Sequence, residues 1–424
     1  MENTSKQWLG LPLNLIWGYV AIAVFMTGDG FELAFLSHYI TDLGFSPAQA
    51  SFAFTLYGLA AALAAWISGV VAEIITPQKT MKIGFLFWCT FHVLFLTFGL
   101  GNANYPLILL FYGIRGFAYP LFLYSFIVVI VHNVKSDSVS SAVGWFWMVY
   151  SVGIGVAGSY IPSFTIPMIG ELGTLWLALA FCLSGGVIAM VSLRKAKTPT
   201  HMQSLSTKEK LTELSRAVTL LYTNKNIMYS SFVRIINTLS LFGFAVIMPM
   251  MFVDDLGFTT SEWLQVWAAF FFTTLFSNVF WGIMGEKMGW MKVVRWFGCI
   301  GMAVSSLSFY YIPQYFGHNF YMALVPAILL GTFVAAFVPM SAVFPALEPK
   351  HKGAAISVYN LSAGLSNFLA PAIASILLPY FSTIGVVIAY TVLYLAAFIF
   401  TYMIKVEQPG FENEFIAEEE VTTA

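Results

Sequence analysis

The pentapeptide DLGFS, residues 42–46, returns as DLGFT at residues 255–259, an offset of 213 positions. The same offset relates GVVAE (69–73) to GIMGE (282–286) and, more weakly, SSAVG (140–144) to GAAIS (353–357). Three matches in one register make the two halves of the chain structural repeats. What each repeat contains follows from composition: 59% of the 424 residues are hydrophobic and 9% charged, with a mean hydropathy of +0.81. Charged residues run near a quarter in soluble domains, so the chain reads as a polytopic membrane protein.

Apolar runs of about 20 residues cross a hydrocarbon layer of roughly 30 Å. Such runs lie near 12–40, 47–75, 82–100, 105–131, 138–162 and 171–193, then near 226–253, 258–284, 291–312, 319–346, 353–380 and 383–404. The expected fold class is an all-α membrane protein of twelve transmembrane helices in two six-helix bundles. The bundles span 1–193 and 226–404, joined by a basic linker at 194–225 and followed by an acidic tail at 405–424. Six is even, so both copies enter the membrane in the same sense, as parallel repeats. The first run is too long for a signal peptide. In the linker, Thr207 is placed to cap a short amphipathic helix beginning KEKLTEL, a tether on the inner membrane surface.

Charge placement orients these runs, because cytoplasmic loops collect Lys and Arg. Of nineteen Lys and Arg, all but Arg115 and Arg234 fall on one side under the twelve-run count, and none falls in a loop of the other. Both termini are therefore expected in the cytoplasm. Cys89, Cys182 and Cys299 lie inside runs without metal or redox spacing and read as packing residues. Neither a metal site nor a cofactor is expected. An integral-membrane enzyme would need a catalytic cluster that the scattered histidines and cysteines do not supply, and a sensor would need an output domain larger than the linker.

Four charged side chains lie deep in apolar runs: Asp29, Glu32, Arg115 and Arg234. Each costs about 2.5 kcal/mol or more at the centre of a bilayer, so each must face the interior and find a partner. Counting about 1.5 Å of rise per residue puts Asp29 and Arg115 level, which predicts an Asp29–Arg115 ion pair, with Glu32 one turn away competing for the arginine or meeting substrate. Such a pair either couples proton binding to conformation or only pins two helices together. Arg234 and Asn237 share a helix face, and Gln265, Asn360 and Asn367 add amides at membrane depth. Tyr119, Tyr124, Trp145, Trp147 and Tyr150 offer aromatic faces to a hydroxyl-rich ligand. His38 and His92 read as hydrogen-bonded packing residues.

Gly69, Glu73 and Lys79 in GVVAEIITPQK, repeated as Gly282, Glu286 and Lys292 in GIMGEKMGWMK, resemble the cytoplasmic loops of the major facilitator superfamily. The resemblance implies that these loops latch the cytoplasmic side. Glu in place of the usual Asp, and a thin basic cluster in the first copy, imply a weaker latch. Arg115 in FYGIRGFAYP resembles the fourth-helix arginine of proton-coupled members. GIGVAG (153–158) lacks the Gly-Pro pair associated with drug antiporters. MTGDGFELAFLSHYITDLGF, with LAAALAAWISGVVAEIITPQK, resembles the bacterial sugar-alcohol permeases that import ribitol and D-arabinitol. By that resemblance the chain is expected to act as a monomer that imports a small neutral polyol with a proton, binds no nucleic acid and needs no cofactor. A small carboxylate held by Arg115 and Arg234 is the alternative cargo.

Overall fold

A computed structural model describes residues 7–8, 11–134, 139–194, 196, 215, 218–349, 352–408 and 411. Most of the linker, including Thr207, and nearly all of the acidic tail lie outside the described residues, as do the side chains of Gly69 and Glu73. The described chain is almost entirely helical, apart from a two-residue antiparallel pairing of Gln7–Trp8 with Leu11–Pro12. Among the described residues, ten helical stretches are long and apolar enough to cross a membrane. Two of these, Ala142–Ser192 and Ala354–Met403, are about twice the needed length. Each turns back on itself at one non-helical residue, Gly170 (φ 74°) and Ser382 (φ 53°). Across the second turn the Tyr390 hydroxyl donates to the Ala370 carbonyl at 2.7 Å, which fixes the reversal.

The repeat seen in the sequence is also a repeat of backbone. Gly44 (φ 96°) and Gly257 (φ 75°) occupy the same position of the two DLGF turns, where a left-handed residue is needed and glycine supplies it without strain. Each turn then opens a helix through a capping box: Ser46 with Gln49 before α3 (Pro47–Ile75), and Thr259 with Glu262 before the helix Thr260–Met288. Two orphan amide donors are satisfied reciprocally at each start. Thr76 (φ 89°) and Gly289 (φ 98°) close both helices, again 213 residues apart.

Four of the apolar runs expected to be continuous are interrupted, the first and fourth of them where buried charges sit. The first run is α1 (Ile16–Gly30), a turn over 31–35, then α2 (Leu36–Asp42). The fourth is α5 (Tyr105–Arg115), a break at Gly116–Phe117, then α6 (Ala118–Asn133). The seventh breaks at Thr238, one residue past Asn237, and the tenth at residues 335–339. Backbone freed at membrane depth is tolerated only when protein buries it or a cavity receives it.

Glycines hold the first break in place. A Cβ on Gly30 would collide with the Ile154 carbonyl oxygen, and one on Gly153 would lie 2.6 Å from the Ala23 carbonyl. GIGVAG therefore serves as the seat of α1, and the overlapping stretch Val152–Ala157 is a π-helical turn. Gly155 faces Phe271 of the second half instead. In the second repeat loop, Gly285 is the close-approach glycine, against Pro339, while Gly282 has only an ordinary contact with Val338. Glu286, Lys292 and Lys79 are exposed, and the loop is held by Gln408, which accepts from the Trp290 amide at 2.5 Å and donates to the Gly285 carbonyl at 3.1 Å.

Side-chain hydrogen bonds joining the two halves gather toward the end of the molecule that carries the DLGF turns. Ser261 donates to the Ser163 carbonyl at 2.6 Å, Trp263 to the Ala34 carbonyl at 2.6 Å, and Ser375 to the Ala48 carbonyl at 3.1 Å. His38 meets Asp254 there at 3.0 Å. Gly30→Val should lower stability by about 1–3 kcal/mol through overpacking. Gly144→Ala, where a Cβ meets nothing within 4 Å, should be neutral or raise stability by about 0.5–1 kcal/mol. Thermal unfolding of the two purified variants beside the wild type checks both.

Candidate functional site

Arg115 ends α5 with none of its surface exposed. Its Nη2 donates to the Glu32 carboxylate in an ion pair, and its Nη1 donates to His92 Nδ1. The guanidinium carbon lies 4.9 Å from the centre of the Tyr112 ring, 5.1 Å from Trp88, 5.4 Å from Phe95 and 5.7 Å from Tyr57. Aromatic faces carry negative potential and attract a desolvated cation. His92, one turn from Trp88 on α4 (Pro77–Leu94), has its Nε2 at 2.9 Å from the Leu175 carbonyl. A carbonyl can only accept, so the tautomer assigned from these partners carries its proton on Nε2 and turns a lone pair to Arg115.

Asp29 is not Arg115's partner, contrary to the reading from helical rise. Its carboxylate accepts from the Trp88 indole N–H at 2.6 Å, and the ion pair belongs to Glu32. The level argument assumed a straight helix. The chain instead unwinds after Gly30, and the turn over 31–35 carries Glu32 to the arginine while leaving Asp29 on the last turn of α1. Both carboxylates are about 95% buried, but one is met by a cation and the other by a neutral donor.

A small cavity opens beside them, lined by Asp29, Glu32, Leu33, Phe54, Tyr57, Tyr112, Tyr119, Tyr150, Ile154, Phe242 and Asn367. Two carboxylates, four phenols and one amide surround a space bounded elsewhere by apolar and aromatic faces. Tyr119 meets the Asn367 amide across the two halves of the chain. Phe242 stands 213 residues after Asp29, so repeat-related positions from both halves line one cavity.

Of the other residues singled out from sequence, Tyr119 and Tyr150 line this space, whereas Trp145, Arg234, Asn237, Gln265 and Asn360 are not in its lining. Trp145 packs against the core of the first half. Arg234 lies 4.6 Å from the Tyr359 ring, with Nε and Nη1 buried and without a hydrogen bond, and Asn237 Oδ1 is in the same condition. Gln265 and Asn360 are half-buried. Tyr57, Trp88, Tyr112 and His92 belong to the site and were not legible as such. The one available signal was the spacing of Trp88 and His92, which places two hydrogen-bonding rings on one helix face.

A family model described as Major Facilitator Superfamily matches residues 18–266 and 230–423. The chain belongs to the major facilitator superfamily. It is 81% identical over 422 residues to the D-arabinitol transporter of Klebsiella pneumoniae, covering 99% of each chain. It is also 81% identical over 414 residues to the ribitol transporter of that organism, covering 98% of this chain and 97% of the relative. The solved structure of the nucleoside transporter NupG superposes with a TM-score of 0.73 over 96% of this chain and 99% of that one, at 13% identity, which speaks to the fold alone. The protein is thus a multi-pass membrane transporter and not an enzyme, and its resemblance to ribitol and D-arabinitol permeases holds over nearly its whole length.

Removing one member of a buried ion pair strands the other, at about 3–5 kcal/mol. Glu32→Gln should therefore cost that much in thermal unfolding. Asp29→Asn keeps an acceptor for Trp88 and should stay within about 1 kcal/mol, the net worth of one hydrogen bond. Equal losses in the two variants would return the ion pair to Asp29.

Proposed function

We propose that this transporter imports a linear sugar alcohol of the ribitol or D-arabinitol class together with a proton, by alternating access. The observation that carries this reading is the cavity lining: phenols and an amide that both donate and accept, carboxylates that accept, and aromatic faces for a C–H surface. That inventory suits a neutral chain of hydroxyls. The relatives named for the two pentitols are equally identical to this chain, at 81% each, so identity supports the class and does not choose the stereoisomer.

Support for coupling comes from the unequal treatment of the two acids. Glu32 is neutralised by Arg115 in place. Asp29 faces the same cavity with only an indole donor, so a proton is the group that removes its charge when the cavity closes. Arg115, held by Glu32 and His92, is the positioning residue for this arrangement. The carboxylate-cargo reading finds less support, because Arg115 is already paired and Arg234 is not in the lining.

In this reading the chain makes twelve crossings in two six-helix bundles, 1–193 and 226–404. Both termini are cytoplasmic, the DLGF turns are external, and the protein works in a bacterial inner membrane as a monomer without a cofactor. The bonds that close the DLGF end support one end-state of the cycle, sealed outside.

The test is uptake of labelled ribitol and D-arabinitol by vesicles holding the purified protein, with and without an inward proton gradient, beside Asp29→Asn. The expected result is gradient-driven accumulation in the wild type. The variant should lose accumulation and retain exchange of label. Wild-type uptake indifferent to the gradient would remove proton coupling, and uptake of small carboxylates with none of either polyol would replace the cargo.

A further inference from the structure

At the DLGF end, away from the cavity, His38 is wedged among three acids from three parts of the chain. Its side chain is 7% exposed. Nε2 lies 3.0 Å from Asp254 of the second half, and Nδ1 lies 3.1 Å from Asp42 and 4.0 Å from Glu171. Nδ1 thus points toward two carboxylates. It is buried there without a hydrogen bond. A ring nitrogen gathered with two carboxylates is a donor set whose charge either a proton on Nδ1 or a metal ion between the three groups offsets. Among the described residues, the ion-pair contacts of Asp42, Glu171 and Asp254 are made with His38.

We propose that His38, Asp42 and Glu171 bind one divalent transition-metal ion of the zinc class, with Asp254 acting through His38 as a positioning residue. One ligand atom from each of the three residues lies within 4.8 Å of the others. Zinc bonds of about 2.0–2.2 Å to nitrogen and oxygen set tetrahedral ligands roughly 3.3–3.5 Å apart. The His38–Asp42 spacing of 3.1 Å already matches, and the 4.0 Å to Glu171 needs under about 1 Å of side-chain movement. Asp42 is half-exposed, leaving the fourth position to water. The Nε2 contact with Asp254 is the carboxylate–histidine–metal arrangement that fixes tautomer and ring orientation. Because Asp254 comes from the second half, the bound ion also strengthens a tie that holds this end of the molecule closed. The site is independent of which cargo the cavity takes.

The measurement is zinc titration of metal-stripped, full-length protein in detergent, with cobalt substituted to read tetrahedral coordination from its visible absorption. One ion per chain is expected. Affinity should fall more than about tenfold in His38→Gln and in Glu171→Gln, and about tenfold in Asp254→Asn, as loss of such a supporting carboxylate commonly does. His318→Gln, at the separate His318–Glu262 contact, should bind as the wild type does. Glu171→Gln keeps the test valid should His38→Gln fail to fold. No stoichiometric binding, undiminished affinity in Glu171→Gln, or loss of binding in His318→Gln would each overturn the assignment.

Discussion

A guanidinium with no exposed surface, in a chain built to sit in hydrocarbon, constrains everything around it. Arg115 cannot shed its charge, and a fully buried charge without partners is costly, so the fold converges on it. Glu32 supplies the counter-charge and His92 a lone pair, while Tyr57, Trp88, Phe95 and Tyr112 supply the ring faces. Reaching that arrangement requires α1 to unwind after Gly30, and the unwound turn is stable because Gly30 and Gly153 let two backbones touch. The placement of Asp29 beside the cavity follows from the demand on Arg115.

The two repeats share their turns and differ in their interiors. The DLGF corners, their capping boxes and the residues that close both helices recur at 213-residue spacing with the same backbone sign. At the same spacing Asp29 becomes Phe242, Glu32 becomes Ala245, Arg115 becomes Ile328 and His38 becomes Met251. Symmetry was kept where it sets chain reversal, which backbone dihedrals govern. It was lost where it would have duplicated buried charges, each with its own cost. The cavity consequently has a carboxyl-bearing wall from the first half and an apolar or amide wall, Phe242 and Asn367, from the second.

Broken helices account for most of what the apolar pattern concealed. The first, fourth, seventh and tenth runs read as continuous because hydrophobicity does not lapse at their breaks. Residues 31–35 include Phe31, Leu33, Ala34 and Phe35, as apolar as the helix before them. Periodicity reports which environment a residue prefers and says little about whether its backbone stays helical when neighbouring helices can satisfy the freed groups. The mistaken Asp29–Arg115 pair came from this, since depth was counted along a straight axis.

By itself the sequence determined the membrane class, the repeat, the superfamily resemblance, and Asp29, Glu32 and Arg115 as buried charges that must be partnered. These follow from composition and spacing, which are properties of the chain. Only the tertiary structure decided which acid meets Arg115, that Trp88 and His92 belong with it, and that His38 gathers Asp42, Glu171 and Asp254 across the two halves. The physical reason is that electrostatic pairing and metal geometry depend on distances of 2–5 Å, and a shift of one turn, about 5.4 Å, is enough to exchange one partner for another.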